Sequence, residues 1–196
     1  DESVTYKRSQ YAVIDHKISH HIEPMELADI MFGMQDQSLW SDEETMYCVD
    51  AGGMGQGVME YYYRNDKIVH EFHTQGRAIN AKEYGNKMTE AWFHLARLIQ
   101  RAKLDPRTYP LYLPYDPILI KQLSTRRYDT DLKGKLILEK KDLYMDRGHD
   151  SPDRADASVM CFYDYANEMC QIATAKEADD AARGVYESYW DVWKGV

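Results

Sequence analysis

Three carboxylates stand out by their positions. Asp50 closes a short apolar run, Thr45-Met46-Tyr47-Cys48-Val49-Asp50, after which the chain breaks into Ala51-Gly52-Gly53-Met54-Gly55-Gln56-Gly57. Asp153 and Asp156 lie three residues apart behind Ser151-Pro152, a good N-cap followed by a good first helical residue. A strand delivering Asp50 to the carboxyl end of a sheet puts it where open α/β folds bind ligands. Spacing of three in a first helical turn puts Asp153 and Asp156 on one face. The small and apolar residues after Asp156 point that face inward, and a buried carboxylate needs a partner or a metal ion. A blander account uses the same residues: Asp50 caps a tight turn, and the pair caps a helix N-terminus, favoured by the helix dipole. Two phosphate-binding readings fail. A P-loop ends in Gly-Lys-Ser/Thr, and a dinucleotide fingerprint needs G-x-G-x-x-G, but Gly53-Met54-Gly55 runs on into Gln56-Gly57-Val58.

The surrounding pattern is mixed α/β. Residues 3–8 and 11–19 alternate as an antiparallel hairpin. Asp15, His16, His20 and His21 decorate its second strand, at a spacing that suits exposed histidines better than a metal site. A helix opens at Glu23-Pro24, with Leu27, Ile30, Met31 and Met34 at helical spacing. Residues 35–44 read as loop, 58–64 as a short helix, and 68–73 as a strand. The strongest helical signal covers 81–101, where Tyr84, Met88, Ala91, Trp92, Leu95, Leu98 and Ile99 form an apolar stripe. A proline-punctuated loop, a helix over 118–123 and a second hairpin over 127–139 follow. Arg126, Arg127, Lys133, Lys135, Lys140 and Lys141 concentrate around that hairpin, as a solvated face or a contact for backbone phosphates. The helix behind Pro152 is expected to run on through Cys170. The last segment, 173–196, reads as a helical tail with Tyr186, Tyr189, Trp190 and Trp193. The predicted division is therefore 1–172 and 173–196.

The chain has 196 residues, 44% of them hydrophobic, with a net charge of −9, which excludes general disorder and a general affinity for polyanions. Any nucleic-acid contact must use a local basic patch. The three cysteines, Cys48, Cys161 and Cys170, form no CxxC pair and read as buried reduced thiols. No apolar stretch is long enough to cross a membrane. The first residues carry no initiating Met and read as the continuation of a longer chain.

Four phrases in order carry a more specific message. Val49-Asp50-Ala51-Gly52-Gly53-Met54-Gly55-Gln56-Gly57, Asn86-Lys87-Met88-Thr89-Glu90-Ala91-Trp92, Lys133-Gly134-Lys135-Leu136-Ile137-Leu138-Glu139-Lys140-Lys141-Asp142 and Ser151-Pro152-Asp153-Arg154-Ala155-Asp156-Ala157 resemble the C-terminal nuclease domain of tailed-phage terminase large subunits. The resemblance covers the chain up to about residue 164.

It implies an RNase H-like mixed central sheet flanked by helices, with an additional basic β-hairpin. It implies cleavage of concatemeric double-stranded DNA during genome packaging, using Mg²⁺ or Mn²⁺, two ions, held by acidic residues. Asp50 matches the second acidic motif of the family. Asp156, with Asp153 beside it, matches the third. The first motif and its strand are expected before Asp1. The implied partners are DNA, the ATPase motor domain of the same polypeptide, the portal protein and the small terminase subunit. The implied location is the host cell cytoplasm, transiently at the procapsid portal. Lys141 and His149 flank the third motif, within reach of a scissile phosphate or a proton. Two other functions are compatible with the same sequence: a docking module acting through the aromatic tail, and a junction resolvase of the same fold.

Overall fold

The computed structural model describes residues 2–36 and 45–163. The chain divides into two units, Asp1–Tyr163 and Asp164–Val196. The helical tail expected over 173–196, and the continuation of the last helix to Cys170, lie outside the described residues.

Strands β1 (Glu2–Ser9) and β2 (Ala12–His20) form the expected antiparallel hairpin, with a bulge at Lys7/Arg8. The chain reverses at Gln10, which takes a positive φ of 49°. Helix α1 (Pro24–Asp36) opens on its proline. Strand β3 (Tyr47–Asp50) pairs in parallel with β4 (Val69–Phe72), Asp50 opposite Phe72, and Ala51 N–H extends the ladder by donating to Phe72 C=O. Between them α2 spans Met54–Arg64. It starts four residues earlier than expected, so Gly55 and Gly57 are helical. Both have a packing reason. A Cβ on Gly55 would lie 1.6 Å from the Asp50 carbonyl oxygen, and one on Gly57 would lie 2.8 Å from Pro24 Cβ. The first turn of α2 is thus pressed against the strand end and against α1. Tyr47, Val49, Val58, Met59, Tyr62 and Val69 bury their side chains in the resulting core.

Helix α3 covers Lys87–Leu104, not 81–101. Its apolar stripe does continue backwards to Tyr84, but Asn86 stops it. The Asn86 side chain accepts from Thr89 N–H as an N-cap, and residues 80–84 instead fold as a turn on Asn80 C=O. Tyr84 makes an isolated parallel bridge to Leu136. Helix α4 (Pro117–Thr125) is capped by Asp116. The second hairpin pairs β5 (Tyr128–Thr130) with β6 (Leu136–Leu138), and Gly134 takes φ 78° in its turn. Helix α5 (Lys141–Asp146), which has no clear sequence periodicity, precedes α6 (Asp153–Cys161).

The fold is α/β, but among the described residues its strands form three separate two-stranded sheets instead of one central sheet. Among the described residues no strand ladder joins the N-terminal hairpin to the parallel pair. β1 instead packs along α6.

Candidate functional site

The N-terminus of α6 is held from α4 and from β1. From α4, Gln122 accepts from Ala155 N–H through Oε1 and donates Nε2 to Ser151 C=O. This side chain satisfies a helix-terminal donor that Ser151 was expected to serve. Pro152 therefore takes the N-cap position, and the Ser151 hydroxyl donates to Asp153 Oδ1 instead. From β1, Glu2 N–H donates to Asp153 Oδ2 at 2.9 Å. The Glu2 carboxylate takes a two-pronged contact from Arg154, at 2.7 Å to each oxygen, while Arg154 also reaches Asp116 at 2.8 Å. One arginine thus ties β1, α4 and α6 together. The Arg154 hydrogen bonds hold the Glu2 carboxyl below its usual range.

Asp153 and Asp156 share this turn but have opposite surroundings. Burial alone would raise the Asp153 carboxyl. Lys141, at 2.8 Å from Oδ1, outweighs it together with Ser151 and the Glu2 amide, so Asp153 is held below the ordinary value. For Asp156 burial wins. Its carboxyl is pushed up despite the opposing pull of Arg126, Trp92 and Lys141. Asp156 Oδ1 accepts from Arg126 at 3.0 Å and from Trp92 Nε1 at 3.1 Å. Among the described residues, its Oδ2 accepts no hydrogen bond. The Arg126 guanidinium lies over the Trp92 and Tyr144 rings and also donates twice to Glu139 C=O. It is 6% exposed.

Asp50 stands at the end of β3. Its Oδ1 accepts from Gly52 N–H at 3.1 Å, the turn-capping contact that the sequence allows. The start of β1 touches both α2 and α6. Ser3 Oγ contacts Met54 Sδ at 3.7 Å on one side, and the amide of adjacent Glu2 binds Asp153 on the other. Asp153 and Asp156 thus share one turn, which β1 connects to the first residue of α2, four positions after Asp50. No direct hydrogen bond joins Asp50 to either aspartate among the described residues. Nor do three His, Cys, Asp or Glu side chains there converge closely enough to hold a metal ion.

The basic cluster seen in the sequence splits. Arg126 and Lys141 turn inward onto the two aspartates, while Arg127, Lys133 and Lys140 stay exposed. His149 stacks on Tyr144 at 4.4 Å and meets Arg147, which grips Glu139 with two hydrogen bonds. The hairpin histidines His16, His20 and His21 are exposed, as their spacing suggested. Gln122, Trp92 and Arg126 had not been assigned to the site. Only Trp92 carried a usable signal, since a buried indole N–H needs an acceptor.

The fold has counterparts among solved structures. The nuclease domain of the large terminase subunit gp2 of bacterial virus Sf6 is similar over most of its length. A mutant of it with manganese and beta-thujaplicinol aligns with a TM-score of 0.67 at 19% identity, covering 83% of this chain and 82% of that one. The chain has the fold of a phage terminase nuclease domain. The same Sf6 domain without a named ligand gives a TM-score of 0.64 at 20% identity, covering 80% and 79%. A mutant with calcium gives 0.62, also at 20% identity and with the same coverage. No family model and no curated protein matches the sequence. The terminase nuclease fold thus agrees with the resemblance carried by the four sequence phrases.

Proposed function

We propose that this chain is a divalent-metal-dependent DNA endonuclease domain of a phage packaging terminase, built on an RNase H-like frame. The observation that carries the proposal is the carboxylate pair on the first turn of α6, bound to β1, in a fold similar to terminase nuclease domains.

The donor set fits hard cations. Asp50, Asp153 and Asp156 offer only oxygens, which suit Mg²⁺ or Mn²⁺ and not softer metals. Mg²⁺ commonly takes one or two carboxylates and completes its shell with water and substrate phosphate, so three converging protein ligands are not required. Asp156 Oδ2 and the Asp50 carboxylate are the principal ligands in this reading, with Asp153 beside them. When bound, a pair of such ions makes a water nucleophilic at neutral pH and stabilises the leaving oxygen of the phosphodiester. The chain's own contribution is positional. Arg126 and Trp92 fix Asp156 through Oδ1 and leave Oδ2 directed elsewhere. Lys141 holds Asp153 ionised and supplies positive charge for a phosphate.

The substrate is concatemeric double-stranded DNA. The partners are an ATPase motor on the same polypeptide, the portal protein and the small terminase subunit. The setting is the host cytoplasm, transiently at the procapsid portal. The test is plasmid nicking with Mn²⁺. Asp50→Asn and Asp156→Asn are each expected to abolish nicking while retaining the fold, and unchanged nicking in either variant overturns the site assignment. Preference for four-way junctions over linear duplex would move the reading to a resolvase.

A further inference from the structure

The segment before α3 and the second hairpin enclose an open cleft of about 750 Å³, outside the carboxylate site. Its lining includes Gln75, Arg77, Asn80, Lys82 and Lys135. Arg77 and Lys82 are exposed and Lys135 is half-buried, and among the described residues none of the three is in an ion pair. That contrasts with Arg126, Arg147 and Arg154, each of which is spent on a carboxylate. The acidic groups nearest the cleft are engaged by other donors. Glu90 accepts from the amides of Ile79 and Asn80 and from the Tyr163 hydroxyl. Glu83 accepts from the Asn80 side chain and the Tyr84 hydroxyl, and Asp131 from the amides of Lys133 and Lys135, with the Lys135 and Lys133 charges also favouring its ionised form. These bonds also stiffen the cleft walls: Glu90 pins one, and the Gly85 amide donating to Leu136 C=O joins the two.

We infer that this cleft binds the sugar–phosphate backbone of duplex DNA through Arg77, Lys82 and Lys135. The inference rests on the DNA-directed reading above and adds a second anchoring point to it. A chain of net charge −9 repels a polyanion unless unpaired cations are gathered locally, and here they line one concave surface. The location suits the task. The cleft lies at the N-terminal end of α3, and Trp92, which holds Asp156, lies five residues beyond Lys87. At 1.5 Å per residue, that is about 8 Å along the helix. Each DNA strand carries one charge per roughly 3.4 Å of axis, so a strand held in the cleft spans that distance within a few nucleotides. The hairpin also carries Lys133 and Arg127, both exposed. Its tip residue, Leu132, is fully exposed.

The test is duplex binding followed by fluorescence anisotropy in EDTA, so that cleavage plays no part. Arg77→Gln/Lys82→Gln/Lys135→Gln is compared with a control, Lys17→Gln/Lys103→Gln/Arg107→Gln, which removes equal charge elsewhere. The cleft variant is expected to bind at least about tenfold more weakly, and its log–log salt slope should shrink by about 3. The control should change far less. Equal losses in the two variants, or none in the cleft variant, overturn the inference even if the wild type nicks DNA. Displacement of duplex by ATP at constant ionic strength assigns the cleft to a nucleotide and also overturns it. Wild type that binds duplex through the cleft but never nicks with Mn²⁺ upholds this inference and refutes the nuclease reading. Wild type that binds no duplex refutes the inference.

Discussion

Replacing Arg126 by Met tests whether Asp156 is held by a desolvated ion pair. The substitution keeps much of the side-chain volume between the Trp92 and Tyr144 rings but removes the charge and three donated hydrogen bonds, one to Asp156 and two to Glu139 C=O. Arg126 and Asp156 are 6% and 18% exposed, so water cannot fully take the arginine's place. Breaking a buried pair from one side costs about 3–5 kcal/mol, because the remaining charge is stranded. Against a typical total stability of roughly 5–15 kcal/mol, that is a large share. For a domain of this size it corresponds to a fall of about 6–20 °C in Tm. The assay is urea unfolding of the full chain in EDTA. A double variant, Arg126→Met/Asp156→Asn, should recover part of the loss, since no ionised carboxylate is left behind. A single-variant loss below about 1 kcal/mol, or no recovery in the double variant, refutes the argument that this pair is effectively buried.

Two further outcomes are expected. Gly55→Ala forces a methyl group to 1.6 Å from the Asp50 carbonyl oxygen, so α2 and the strand end must separate. It should cost about 3 kcal/mol or more and lower nicking as well, as read by urea unfolding and plasmid relaxation, and native-like values in both would contradict the close approach. Glu139→Gln tests the Arg147 clamp, which holds the Glu139 carboxyl down at about 2 from an ordinary 4.5. A depressed carboxyl stabilises the fold above its unfolded value and loses that contribution as pH falls toward the folded one. The stability gap between wild type and variant should therefore be full at neutral pH and narrow below 4.5. Unfolding curves taken from about pH 7 to pH 3 would show this, and a constant gap would sink it.

How much of this was legible in the sequence differs from element to element. The Asp50 strand was readable because an apolar run rich in β-formers ended abruptly in glycine. Its glycines misled at the same time. They read as a loop, yet Gly55 and Gly57 lie in the first turns of α2, where close backbone and proline contacts leave no room for a side chain. The start of α3 was placed too early because its apolar stripe extends past Asn86, and Tyr84 keeps the helical phase while packing from a turn. The Asp153/Asp156 spacing was visible locally. What holds these residues was not: Gln122, Trp92 and Arg126 are distant in sequence and look like an ordinary helix polar, a core aromatic and a surface cation. Charge clustering in the sequence merged two populations that the fold separates, Arg126 and Lys141 turned onto the aspartates and Arg127, Lys133 and Lys140 left exposed.

The double attachment of Glu2 has a mechanical corollary. Its amide grips Asp153 and its carboxylate grips Arg154, on consecutive residues of α6. Tension applied along β1 is therefore delivered straight to the turn carrying both aspartates, with no compliant loop between. A shift of the strand by one hydrogen-bond length would loosen Asp153 from its amide and re-aim the helix start. Glu2 thus couples the strand to the acidic turn through backbone and side chain alike.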